Sequence, residues 1–249
     1  MKKLLPYLLL IAAAGAPASN LVYHGGPLIA NAHVVYIFWG ASWTTTGGDR
    51  PIATELQSYR SSPVAMLAHT GMLVQYNAGQ SNFHGQADVF DPTNPSATAV
   101  TDAMVKAEIK KYFHGTYDAK AVYEVCLPRG YYSISGGSTS CGGPNVAYCT
   151  YHSTFTDGTE VRYTVQPFPS CSGCQATGFN ASQNEELFVI HSSREMFIDP
   201  DHNGWFDPSG IEGDDLCLWG PAPFLEHASD GHTYGYQDEW SNSAGGCVR

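Results

Sequence analysis

Asn180-Ala-Ser-Gln-Asn-Glu-Glu-Leu-Phe-Val-Ile-His-Ser-Ser-Arg-Glu-Met-Phe-Ile198 is the stretch on which the reading of this chain turns. Asn180 offers a side-chain oxygen suited to cap a helix, and the helix should run to about Ile198. His191 and Glu195 are four residues apart. At 100° per residue they share one face and lie close enough to share a ligand. Leu187 and Ile198 flank that face with apolar surface. Imidazole nitrogen and carboxylate oxygen both suit Zn²⁺, which in catalytic sites takes three protein ligands and a water. A third ligand is available from Glu212 or Asp215, in Ile211-Glu-Gly-Asp-Asp-Leu-Cys217. Zinc peptidases with ligands on a helix use His-Glu-x-x-His, in which the Glu is the general base. Here Ser192 stands in that base position, and serine cannot take up and deliver a proton near neutral pH. On residue types alone, a hydrogen-bonded or solvent-facing His191 is an equally good reading.

The next segment carries a second cation pattern. Asp199-Pro-Asp201-His-Asn203-Gly204 matches the opening of a calcium loop, with Asp207 at its ninth position. The twelfth position, which should be a bidentate Glu, is Gly210, and Glu212 falls two residues late. An Asp-rich turn competes with the Ca²⁺ reading, because Asp, Asn, Pro and Gly also mark turns. His202 lies inside this segment and His152 lies far upstream. Each either approaches the site or serves as an ordinary loop histidine.

Outward from this region, His33–Trp39 (HVVYIFW) reads as a buried strand. Residues 51–59 read as a short helix with proline in its first turn. Residues 101–113 form the clearest amphipathic helix, capped by Thr101. Residues 121–127 read as a strand followed by a Gly/Ser loop through Gly143, and residues 161–168 as another strand. After Asp199 the chain turns irregular. Strands and helices without regular alternation predict one α+β domain over residues 19–249, a mixed sheet packed against a few helices.

Composition narrows the function classes. The 249 residues are 43% hydrophobic and 12% aromatic, enough to bury a sizeable core. Net charge is −11, and clustered Lys and Arg for phosphate contacts are absent, which argues against nucleic acid as a partner. Residues 1–184 hold 10 acids and 10 bases, whereas residues 185–249 hold 13 acids and only Arg194 and Arg249. The acidity is therefore confined to the stretch that holds the cation patterns. Met1-Lys2-Lys3, an apolar run to Ala14 and Ala16-Pro17-Ala18 read as a signal peptide over residues 1–18. The run is too short to span a bilayer, and no later stretch looks transmembrane. Export, to the extracellular space or a periplasm, makes disulfides the default for the seven cysteines, and an odd count leaves one over. No Gly-x-Ser-x-Gly elbow occurs. Trp39, Trp43, Trp205, Trp219 and Trp240 are either core residues or a sugar-stacking face.

Several short motifs carry a family resemblance. Tyr23-His-Gly-Gly-Pro-Leu28, Cys149-Thr-Tyr-His-Ser153 and Pro167-Phe-Pro-Ser-Cys-Ser-Gly-Cys174 come in order, followed by His191-x-x-x-Glu195-x-x-x-Asp199-Pro200. Gly204-Trp-Phe-Asp207, Glu212-x-x-Asp215-x-Cys217 and Trp240-Ser-Asn-Ser-Ala-Gly-Gly-Cys247 complete the series. Together they resemble the EXORDIUM-like (phosphate-induced protein) family, most tightly over residues 149–247. The resemblance implies secretion and a single zincin-like domain, with the His191 helix as its metal site and an irregular, disulfide-linked C-terminal region. It also implies a Cys217–Cys247 disulfide, since both residues sit in matched motifs. Plant members are linked to cell expansion and the cell wall, so an extracellular protein or a cell-wall polysaccharide is the implied partner. The family's glutamate after His191 is Ser192 here. Two functions therefore stand side by side: a secreted zincin-like metalloprotein of peptidase type, and a non-catalytic extracellular protein with a structural cation site.

Overall fold

His33–Trp39 (β2) explains the architecture. Its side chains alternate between the two faces of a sheet, and both faces are apolar. Val34, Tyr36 and Phe38 enter one core, and Val35, Ile37 and Trp39 enter a second. A strand apolar on both sides needs helices on both sides. In this computed structural model, which describes residues 20–218 and 220–249, β2 lies inside a five-stranded sheet. Its neighbours are Val89–Asp91 (β3), Ala121–Cys126 (β5), Glu160–Gln166 (β10) and Tyr151–Thr156 (β9). The spatial order is β3-β2-β5-β10-β9. The first four strands are parallel, with Val34 opposite Val122 and Tyr163 opposite Tyr123. The edge strand β9 runs antiparallel to β10. The predicted leader over residues 1–18 and Trp219 lie outside the described residues.

One sheet face is covered by Asp102–Phe113 (α2), through Val105, Ile109 and Phe113. Thr101 caps it, its side chain accepting from Met104 N. The other face is covered by Arg50–Ser61 (α1) and Ala181–Ile198 (α3). α3 opens with a full capping box. Asn180 Oδ1 accepts from Gln183 N, and Gln183 Oε1 accepts from Asn180 N. Every residue of α3 from Gln183 to Ile198 is buried. That burial on all sides, with polar and apolar residues mixed, is why the helix shows no sharp apolar stripe.

Smaller sheets fill in the rest. Ala99–Thr101 (β4), Tyr132–Ser135 (β6), Ser138–Ser140 (β7) and Val146–Tyr148 (β8) form a four-stranded sheet. The expected Gly/Ser loop before Gly143 is thus a tight β6–β7 hairpin, with Gly136 and Gly137 at positive φ between the strands. Val22–Tyr23 (β1) pairs with Trp205–Phe206 (β11). Beyond α3 the chain forms a short helix, Gly213–Cys217 (α4), and two hairpins: Phe224–His227 (β12) with Thr233–Tyr236 (β13), and Glu239–Ser241 (β14) with Gly246–Val248 (β15). The mixed α+β character is as expected. The C-terminal region is more regular than the sequence suggested, because its strands are only three or four residues long and their pairing depends on tertiary closure.

Three disulfides form: Cys141–Cys171, Cys149–Cys174 and Cys217–Cys247. The last ties α4 to β15, as the motif resemblance implied. Cys126 is the remaining thiol, buried on β5, and burial raises its pKa. Trp39, Trp43 and Trp240 are buried and Trp205 is half-buried, so these four line the interior rather than a stacking face. No helix among the described residues is long and apolar enough to cross a membrane.

The capping box gives a direct stability test. Asn180→Ala should cost about 1 kcal/mol and lower the melting temperature by roughly 2–4 °C. Asn180→Asp, which keeps the acceptor, should stay near the parent. Equal melting of all three proteins would show that the cap contributes nothing.

Candidate metal centre

Four segments converge over the middle of α3. The helix itself supplies His191 and Glu195, one turn apart. The turn after it supplies Asp199 and His202. The edge strand β9 supplies His152, and α4 supplies Asp215, with Glu212 as its N-cap residue. Two ligand-type groups result. Ligand atoms of His191, Glu195 and Asp215 lie within 4.8 Å of one another, and so do those of His152, His202 and Glu212. Glu195 Oε2 lies 3.3 Å from His191 Nε2 and 3.9 Å from His152 Nε2. Asp215 Oδ1 is 3.6 Å from His191 Nε2, and Glu212 Oε2 is 3.1 Å from His152 Nε2.

The surroundings fix which nitrogen of His191 can serve as a ligand. Gln237 Nε2 donates to the carbonyl of Asp214 at 2.9 Å and to its Oδ1 at 3.0 Å. The amide oxygen of Gln237 is left facing His191 Nδ1 at 3.1 Å. An oxygen can only accept, so Nδ1 carries the proton and Nε2 presents its lone pair. That bare nitrogen then points at two carboxylates. Lone pairs repel unless a proton or a cation lies between them.

Arg194 holds the acidic helix in place. It is 1% exposed, and its Nε donates to Asp214 Oδ1 at 2.9 Å, with Nη2 donating to the same oxygen. Glu239 Oε2 lies 3.4 Å from Nε. Asp214 is therefore clamped to α3, which puts its neighbour Asp215 beside His191.

Of the residues expected at a zinc site, His191, Glu195 and Asp215 come together, while Glu212 joins His152 and His202. The calcium-loop residues each have a partner within the chain. Asp199 Oδ1 accepts from Gly204 N at 2.6 Å. Asp201 pairs with Arg162 at 3.1 and 3.3 Å. Asn203 O accepts from Gly26 N, and Asp207 Oδ1 accepts from Ser209 N and Ile211 N. These contacts fit the reading as an Asp-rich turn. Ser192, in the usual base position, is fully buried and shares a 2.7 Å hydrogen bond with Thr150 Oγ1, so it packs onto the chain next to β9. Gln237 and Asp214 carry no motif that marks them, and only the fold shows their role.

Electrostatics follow from burial. Desolvation pushes His191 down to about 3 and His152 to about 4, so both are neutral imidazoles. Burial raises Glu212 to about 7 and Asp199 to about 6, with Glu212 adding to the rise at Asp199. Glu195 is raised by burial and then by the charges of Glu212 and Asp215. Each carboxyl would rather keep a proton than stand ionised beside the others.

Two predictions follow from this arrangement. Arg194→Ala leaves Asp214 and Glu239 buried without a counter-charge and should cost roughly 3–5 kcal/mol. A loss below about 1 kcal/mol in chemical denaturation would mean that the clamp is not needed. The second concerns pH in the metal-free protein. The raised carboxyls stabilise the fold while protonated, and that contribution is lost as pH rises through their folded values. The depressed histidines act only below their ordinary 6.5, where the unfolded chain takes up protons that the folded chain refuses. Between pH 7 and 8, where the histidines of the unfolded chain are mostly deprotonated, the carboxyls dominate the change, so melting temperature should fall. Added Zn²⁺ needs ionised carboxylates, so its stabilising effect should grow over the same range. A flat melting profile with and without zinc would contradict both statements. Comparison of the chain with protein-family models, curated proteins and solved structures finds no match.

Proposed function

We propose that this protein is a secreted, zincin-like metalloprotein that holds Zn²⁺ on His191, Glu195 and Asp215. The observation that carries this reading is the bare His191 Nε2, fixed by Gln237 and aimed at the two carboxylates. Three protein ligands leave a fourth position for water, the arrangement of catalytic rather than closed structural zinc. Bound zinc would act as a Lewis acid and lower the pKa of that water. The chain's own contribution is to fix the ligands. Gln237 sets the tautomer of His191, Asp214 and Arg194 hold α4, and the Cys217–Cys247 bridge ties α4 to the last strand. Asp215, with 32% of its side chain exposed, marks the side from which a ligand enters. Three disulfides and the leader-like N-terminus support secretion. A peptidase is the reaction class that such a site serves in zincins.

Ser192 supports a second reading. Its hydroxyl is tied to Thr150 and offers no proton acceptor at the water position. On this reading the same ion is a structural clamp in a non-catalytic extracellular protein that binds a protein or cell-wall polysaccharide.

Elemental analysis of the purified protein tests the shared part. Zinc should be present, and His191→Ala should abolish binding at this group while the fold persists by circular dichroism. A folded parent protein free of zinc, even after incubation with it, sinks the reading. Peptide hydrolysis by the parent, or its gain on Ser192→Glu, favours the peptidase. Zinc without activity in either form favours the clamp.

A further inference from the structure

The second ligand group takes no part in the reading above. His152, His202 and Glu212 bring their ligand atoms within 4.8 Å of one another, and the two imidazole rings lie 4.6 Å apart, tilted by 32°. This group abuts the first at Glu195, whose Oε2 lies 3.3 Å from His191 Nε2 and 3.9 Å from His152 Nε2. Glu195 is 4% exposed and His152 8%. Even so, Glu195 Oε1, Glu212 Oε1 and His152 Nδ1 are buried without a hydrogen-bond partner. Unmet polar atoms of this kind are costly, and a metal bound through one oxygen of Glu195 would leave the other unmet. A carboxylate shared by two cations can use both oxygens. Two imidazoles and a carboxylate are donors that suit zinc or a similar first-row divalent ion, rather than calcium or magnesium.

We propose that the centre holds two divalent cations. The first lies on His191, Glu195 and Asp215, the second on His152, His202 and Glu212, and Glu195 bridges them. The proposal rests on the single-zinc reading of the first group and extends it. It also removes the difficulty at Ser192. Two such cations would lower the pKa of a bound water toward neutrality, so its ionisation would not depend on a carboxylate at position 192.

The test is stoichiometric. The full-length protein is stripped of metal, titrated with Zn²⁺ by calorimetry and, after desalting, submitted to elemental analysis. The parent should hold two zinc ions per chain, and His152→Ala and His202→Asn should each hold one. His202 is exposed at the rim and has φ 54°, a conformation that asparagine tolerates, so His202→Asn should remain folded even if His152→Ala does not. Mn²⁺ loaded in place of zinc should give a magnetically coupled pair in the parent and an uncoupled spectrum in His202→Asn. A parent that binds one zinc, lost in His191→Ala and kept in His202→Asn, overturns the second cation and leaves the first intact. One zinc lost in His202→Asn and kept in His191→Ala overturns both readings, as does a folded parent that binds none.

Discussion

A helix buried around its whole circumference, in which nine of the sixteen residues from Gln183 to Ile198 are polar, sets the terms for this structure. Buried polar groups need partners, and a buried guanidinium needs a counter-charge. α3 meets most of these demands one by one, Glu195 Oε1 being an exception. Asn184 Oδ1 accepts from Ala176 N, Glu186 accepts from Gly235 N, Ser192 bonds Thr150, and Ser193 donates to Glu124 on β5. Arg194 is the most demanding, and it draws in Asp214, Glu239 and the backbone of Gln237. The C-terminal segments are thereby folded back over α3. Asp215 arrives beside His191, and Glu212 beside His152, as a consequence.

The helical half of the candidate site was legible in the sequence because it is local. A cap at Asn180 and a four-residue spacing are properties of one segment, and no folding is needed to see them. The strand His33–Trp39, the helix capped by Thr101 and the Cys217–Cys247 pairing were equally visible, the last through motif order. The other half depends on topology. His152 enters the site only because β9 pairs antiparallel with β10 at the sheet edge beside α3, and nothing in Cys149-Thr-Tyr-His-Ser153 states that pairing. Glu212 and Asp215 were interchangeable in the sequence, and α4 separates them, one at its N-cap and one within the helix. The calcium pattern has two readings for a related reason. Alternating Asp and Asn residues suit a cation loop, but they suit a turn whose carboxylates bond backbone amides and Arg162 just as well.

The same distinction decides what the acidity means. A −11 chain usually wears its charge outside, yet seven of the 13 acids in residues 185–249 are buried: Glu185, Glu186, Glu195, Asp199, Asp207, Asp214 and Glu239. Arg194 is the buried base that answers them, and it is committed to Asp214 and Glu239. Asp199, Asp207 and Glu186 are met by backbone N–H groups. Glu195, with Glu212 and Asp215 beside it, faces histidines that burial holds neutral, so those rings bring lone pairs rather than positive charge. Below about pH 7 protons on the carboxyls can complete this interior. As pH rises and those protons leave, the proposed cation would offset the charge left behind. Imidazole lone pairs already aimed inward make a divalent metal a better replacement than sodium or potassium.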